Sequence, residues 1–164
     1  MGEDVNTLIS GNKIKAEGVY DFKDFYIELQ RWFAQNGYDW KETKFKAIDE
    51  PGGTKDIELK WQCDRSVDDY VSYRYHLQWK TRANDVEANI GGVKKKMNKG
   101  SIELKFSVSM VIKTDVWEKR SFGKQLRQIY EKFLIGDRLG DYEDQLFSEA
   151  MALFDEIKVY LKLY

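Results

Sequence analysis

Cysteine, proline and histidine each occur once in the 164 residues. A single cysteine excludes an internal disulfide and fits a reducing compartment, so a cytoplasmic location is expected. One histidine and one cysteine cannot supply the convergent soft ligands of a zinc site. They also leave a single Ser-His-Asp combination, and there is no Gly-x-Ser-x-Gly elbow. Gly52-Gly53 and Gly91-Gly92 match neither a phosphate-binding loop nor a dinucleotide fingerprint. No catalytic residue, cofactor or metal is therefore assigned, and whether the chain is an enzyme stays open, with the balance toward a non-enzyme. No stretch is free of charge for long enough to span a bilayer. Met1-Gly2-Glu3-Asp4 has no apolar run behind it, which does not fit a secretory leader. An excess of one charge is missing as well. Lys+Arg number 27 against 28 Asp+Glu, so there is no global attraction to nucleic acid or to an anionic membrane, and neither is an expected partner.

What the chain does have is 42% hydrophobic and 15% aromatic residues, enough for one packed α+β domain over residues 1–164. The clearest pattern is a hairpin, Asp56–Cys63 with Tyr70–Lys80. Ile57, Leu59, Trp61 and Cys63 alternate with polar residues, and so do Val71, Tyr73, Tyr75, Leu77 and Trp79. Such alternation marks antiparallel strands with one face in the core and the other in water. The expected register puts Trp61 opposite Tyr73, Leu59 opposite Tyr75 and Glu58 opposite His76.

Upstream, a brief strand over Val5–Ile9 is turned by Ser10-Gly11-Asn12, and a first full strand runs from Lys13 to Tyr20. Asp21 then caps a helix with the apolar stripe Phe22, Phe25, Tyr26, Leu29, Trp32 and Phe33, which Asn36-Gly37 stops. Tyr38 to Ile48 returns as a strand with Phe45 and Ala47 inward. Trp40 is out of phase with them, which calls for a bulge or an exposed aromatic. Pro51-Gly52-Gly53 turns the chain into the central hairpin. Beyond it, Val86, Ala88 and Ile90 continue the sheet and Gly91-Gly92 makes a tight turn into Val93–Met97. Asn98-Lys99-Gly100 reads as another turn, before a strand with Ile102, Leu104, Phe106, Val108, Met110 and Ile112 on one face. Ser121 then caps a helix with the stripe Phe122, Leu126, Ile129, Tyr130 and Phe133. After a link at Gly136–Gly140, Asp141 caps a last helix long enough to close the sheet's apolar face. The expected architecture is an antiparallel sheet of five to seven strands, with one helix after the first strand and two C-terminal helices on one face.

This order of strand, helix, consecutive antiparallel strands and long final helix is similar to the helix-grip (START-like) arrangement. In addition, Tyr20-Asp21-Phe22-Lys23-Asp24-Phe25-Tyr26, Arg31-Trp32-Phe33 and Asn36-Gly37-Tyr38-Asp39-Trp40 resemble stretches of small archaeal proteins. That second resemblance covers about a fifth of the chain and implies no activity.

Two groups of residues are candidates for function. Trp61, Tyr73, Tyr75, Trp79 and Phe106 share the inner face. They are either ordinary core, with tyrosine hydroxyls satisfied by helix side chains, or the lining of a pocket for a small apolar or aromatic ligand. Lys94, Lys95, Lys96 and Lys99 form the one local charge anomaly. With Trp40 and Trp117, which lie off the main stripes as do Tyr160 and Tyr164, they form a candidate surface for a protein partner or for self-association. Lysines at a sheet edge also discourage unwanted strand pairing. An enzyme built on Glu58, His76 and Arg74 has no supporting motif. The leading expectation is a non-catalytic binding or assembly module, with a helix-grip-like carrier of a small apolar ligand as the alternative.

Overall fold

The computed structural model describes residues 2–162. Five strands, β1 (Glu3–Tyr20), β2 (Asp39–Asp49), β3 (Thr54–Ser66), β4 (Val71–Ile90) and β5 (Val93–Lys113), form one antiparallel sheet in the order β1-β5-β4-β3-β2. Helix α1 (Phe22–Gln35) links β1 to β2. After β5 come a single turn α2 (Asp115–Glu118), α3 (Gly123–Ile129), a π-helical turn (Tyr130–Leu134) and α4 (Gly136–Tyr160). The fold is α+β, with α1 and α4 against the same face of the sheet. Phe25 of α1 lies 5.1 Å from Trp79, and Phe154 of α4 lies 4.8 Å from Phe106, ring centre to ring centre.

Local chemistry explains the joins. The Asp21 carboxylate accepts the Asp24 N–H at 3.1 Å, the expected N-cap of α1. Gly37 ends that helix at a φ of +81°, where a side chain is strained. Gly91 and Gly92, both at positive φ, make the two-residue connection that pairs Ile90 with Val93.

Several expected boundaries move. Ser10-Gly11-Asn12 does not turn the chain; it is a bulge inside the continuous β1, with pairing shifts between Thr7 and Ile9 and between Ile9 and Asn12. Asn98-Lys99-Gly100 is likewise interior to β5. Gly100 pairs with both Gly18 and Ala83, and a Cβ there would lie 2.0 Å from the Arg82 carbonyl oxygen, so the glycine serves close strand approach rather than a turn. The central hairpin pairs Trp61 with Leu77, Leu59 with Trp79 and Glu58 with Lys80, four residues along β4 from the expected register. The difference arises because β3 continues through Arg65, which faces inward, and the connection shrinks to Val67–Tyr70.

The bulge expected in β2 falls between Glu42 and Lys44. It turns Trp40 inward, 5.3 Å from the Trp61 ring, while Phe45 stays on the inner face but beyond the helices and exposed. At the C-terminal end, Ser121 is not a cap: Phe122 holds that position in the left-handed region at φ +61°. Gly136–Gly140 is the first turn of α4 rather than a link, so Asp141 is interior. At 25 residues α4 runs about 37 Å. The 20 residues of β4 run about 66 Å, so the helix covers only part of the sheet. Past the pairs Thr54–Asn84 and Tyr20–Asn98, β4 and β5 pair only with each other and project as a two-stranded arm.

Candidate docking surface

The five inner aromatics lie together between the sheet and the helices, each no more than 1% exposed. Trp61 and Trp79 meet at 4.8 Å, and Tyr75 takes the edge of Phe33 at 5.2 Å. The tyrosine hydroxyls find partners on α4. Tyr73 donates to the Tyr142 carbonyl at 2.9 Å, and Tyr75 donates to Glu149 Oε1 at 2.9 Å. Tyr38 donates to the same oxygen. Arg65 reaches Glu149 Oε2 at 3.3 Å, donates to the Asn36 carbonyl, and lies over the rings of Tyr38 and Tyr73. Burial and the adjacent Glu149 carboxylate push the Tyr75 and Tyr38 hydroxyls well above the ordinary tyrosine range, so both stay protonated donors. Glu42 on β2 does the same work for Tyr26 (2.5 Å) and for the Trp61 indole (3.1 Å). These aromatics are packed ring on ring.

The residues considered for chemistry are not brought together. His76 pairs with Gln62, whereas Glu58 pairs with Lys80 and bonds Lys44. Four residues of strand therefore separate them, about 13 Å. Arg74 is held by Asp64 at 2.9 Å and Glu3 at 3.2 Å. Asp68 closes the hairpin connection, accepting the Tyr70 and Val71 N–H groups and the Tyr142 hydroxyl. Cys63 is fully buried, and burial pushes its thiol up to about 12.

The candidate partner residues scatter. Trp40 is half-buried among aromatics, and Trp117 is half-buried with its indole donating to the Tyr70 hydroxyl at 2.9 Å. Tyr160 sits at the end of α4, bonded to Asp24 and 5.1 Å from Phe25, and Tyr164 lies outside the described residues. The lysines are exposed on or beside the projecting arm, where Lys95 pairs with Asp21 and Lys96 with Asp85.

The most exposed large apolar side chains among the described residues lie elsewhere. The stripe Phe122, Leu126, Ile129 and Phe133 has the helical spacing seen in the sequence, but it points into solvent: Phe122 is 77% exposed, Phe133 71% and the adjoining Leu134 72%. Only the opposite side of this segment is anchored. Tyr130 packs on Tyr70 and Trp117, Gly123 is buried against the Trp117 carbonyl, and Arg127 binds Asp4 at 2.6 Å. The periodicity that marks these residues as a helix face does not say whether the face looks inward or outward. On the same stretch Lys119, Arg120, Lys124 and Lys132 are exposed and without an ion pair among the described residues, and so are the acids Asp115, Glu118 and Asp137 toward its two ends. No protein-family model matches the chain, and no curated protein matches it. No helix among the described residues is long and apolar enough to cross a membrane.

Proposed function

We propose that the protein is a non-catalytic assembly module that receives an acidic amphipathic segment of a partner protein on the outward stripe of α3 and the π-helical turn. The exposed apolar stripe on an anchored segment carries this reading. Counted at their exposed fractions, its side chains and the adjoining Leu134 present roughly 500 Å² of apolar surface, in the upper part of what monomers display. A partner in a standard interface brings about 800 Å² per side, so the stripe plus a polar rim is sufficient. The rim decides the kind of occupant. Four unpaired cations, against three unpaired acids at the two ends of the stretch, leave the rim beside α3 positive, and it complements a helix that carries Asp or Glu beside its apolar anchors. Two copies docked stripe to stripe would instead bring those cations together. The αL backbone at Phe122 holds a bulky side chain outward at a strain of about 1 kcal/mol or more, a cost that tends to gather at binding sites.

The test is a titration of the purified full chain with two synthetic amphipathic helices of about 20 residues, one Leu/Glu and one Leu/Lys. The acidic helix should bind, weaken with salt, and lose at least about tenfold in affinity to Phe133→Ser, since burying an exposed phenylalanine contributes about 1.5–3 kcal/mol. Equal binding of both helices refutes the charge argument. A dimer in native mass spectrometry that dissociates on Phe133→Ser assigns the stripe to a second copy, and binding only to anionic vesicles assigns it to a lipid surface. Either result overturns the proposal.

A further inference from the structure

The sheet register assembles a charge feature on the face away from the helices. Lys13 pairs with Lys105, Lys105 with Gln78, Gln78 with Lys60 and Lys60 with Lys44, so a single row across all five strands holds four lysines and no acid. Strands about 4.8 Å apart make that row about 19 Å wide. The next row on one side is Lys41, Gln62, His76 and Ser107, again without a carboxylate. On the other side Lys15, Glu103, Lys80, Glu58 and Lys46 alternate in sign, and both acids there are already bridged: Glu103 by Lys13 (3.7 Å) and Lys15 (3.9 Å), Glu58 by Lys44 (3.1 Å). Lys60 and Lys105 have no ion pair among the described residues. The surface beside the row is hollowed into an open trough of about 560 Å³ that crosses the sheet; Lys15, Lys46, Lys80 and Arg82 in its walls are balanced by Glu17, Asp56, Glu58 and Glu103, so the unbalanced positive charge lies in the lysine row itself.

Like charges directly opposite one another destabilise a sheet, and this row contains two such pairs, Lys13–Lys105 and Lys44–Lys60. Protection of sheet edges accounts for Lys13 and Lys44 on β1 and β2, but not for Lys60 and Lys105 on interior strands. We propose that this face binds the phosphate backbone of a double-stranded nucleic acid without reading its sequence. A protein ligand needs apolar anchors, and the lysine row and its neighbour toward His76 contain none. A single strand needs aromatic platforms for its bases, and the aromatics of β3 and β4 face the core instead. Phosphates need only cations and neutral donors. Between the lysines the Ser107 hydroxyl, which accepts the Gly11 N–H, keeps its own proton to donate, and Gln62 and Gln78 each keep one amide N–H beyond the bond to Asp64 (3.1 Å) or Glu58 (3.3 Å). The near-neutral chain then binds through local rather than net charge. This reading is independent of the α3 stripe.

Fluorescence anisotropy with the full chain tests it, using a duplex of about 20 base pairs in two unrelated sequences, the matching single strand, and polyglutamate. If Lys41, Lys60 and Lys105, which have no ion pair among the described residues, each neutralise one phosphate, log affinity against log salt should have a slope of about −3, equal for both duplexes. Lys60→Gln with Lys105→Gln should reduce that slope by about 2 and lower affinity at least about tenfold. The same double variant should melt at an unchanged or higher temperature, which separates lost binding from lost folding. Single strand or polyglutamate bound as tightly as duplex, no duplex binding at about 50 mM salt, or a wild-type slope in the double variant overturns the proposal.

Discussion

Glu149→Gln isolates the interaction that fastens α4 to the sheet. In the native chain one carboxylate oxygen accepts both the Tyr75 and Tyr38 hydroxyls and the other meets Arg65 at 3.3 Å. Glutamine keeps one acceptor oxygen but presents an amide N–H₂ to whichever partner the second oxygen served. If the oxygen stays with the tyrosines, Arg65 faces a donor; if it turns to Arg65, two buried hydroxyls lose their acceptor. A hydrogen bond to a charged group contributes about 1.5–3 kcal/mol, and a broken buried pair costs about 3–5 kcal/mol. Arg65 is 30% exposed at its side chain and keeps the Asn36 carbonyl and two aromatic rings, which places the loss at the lower end, about 2–3 kcal/mol. For a chain of this size that lowers Tm by roughly 5–10 °C. Urea and thermal unfolding followed by circular dichroism would measure it, and a double-mutant cycle with Arg65→Met should show coupling of at least about 1 kcal/mol. A second readout is spectroscopic. Tyrosinate absorbance should rise at lower pH in Glu149→Gln, because the adjacent carboxylate helps hold Tyr38 and Tyr75 protonated. Stability within about 0.5 kcal/mol of the native chain refutes the assignment of α4 docking to this network.

Two glycines should respond with opposite signs to alanine. Gly100→Ala forces a methyl against the Arg82 carbonyl and should cost about 2–3 kcal/mol, whereas Gly140→Ala in the exposed first turns of α4 meets nothing within 4 Å and should stabilise by up to about 1 kcal/mol. Equal melting temperatures would show that β5 does not approach β4 as described. Phe122→Gly should raise Tm by relieving the αL strain while weakening capture of an acidic helix; a fall in Tm means that the ring supports the fold. Cys63 should resist alkylation at neutral pH until the chain unfolds, because burial keeps its thiol near a pKa of about 12. Partial burial, with the neighbouring Arg74 guanidinium, holds His76 below its ordinary 6.5 against the weaker pull of Asp64, so folding favours the neutral ring. Its contribution to stability is full above pH 6.5 and is lost as pH falls through the lowered value. His76→Gln should therefore flatten the fall of Tm between about pH 7 and 5, and an unchanged slope removes His76 from that titration.

The helix and turn signals that read correctly are those with one local cause. The Asp21 cap, the Gly37 stop and the Gly91-Gly92 turn each depend on a side chain or a φ angle within three residues. Ser10-Gly11-Asn12 and Asn98-Lys99-Gly100 have the same turn chemistry but are decided by distant strands. β1 runs on past its bulge along β5, and Gly100 is small because Ala83 and Gly18 lie on either side of it. The hairpin faces survived a four-residue error in register because an even shift leaves every side chain on its own face. The error itself came from Arg65. A cation at an inward position looks like the end of a strand unless the glutamate that receives it, 84 positions later on α4, is already known to be there.

The candidate surfaces were hidden for the same reason. The stripe from Phe122 to Phe133 is visible as a period of 3.6, but whether it faces core or water depends on which element reaches it, and α4 begins too early and runs the other way along the sheet for that. The lysine row leaves no trace in the sequence. Its members are separated by at least 16 residues, each sits in an ordinary polar position of an alternating strand, and the chain's total charge is −1. Antiparallel pairing is what adds them. A sheet of five long strands lays residues that are remote in sequence side by side at about 4.8 Å, so its solvent face can carry a strong local field in a chain with almost no net charge. That field costs stability at two like-charged pairs, and it lies on the face opposite the one that holds every tryptophan of β3 and β4. Neutralising Lys60 and Lys105 should therefore leave the fold as stable or more so and weaken duplex binding together. A purely decorative lysine row predicts the first change without the second.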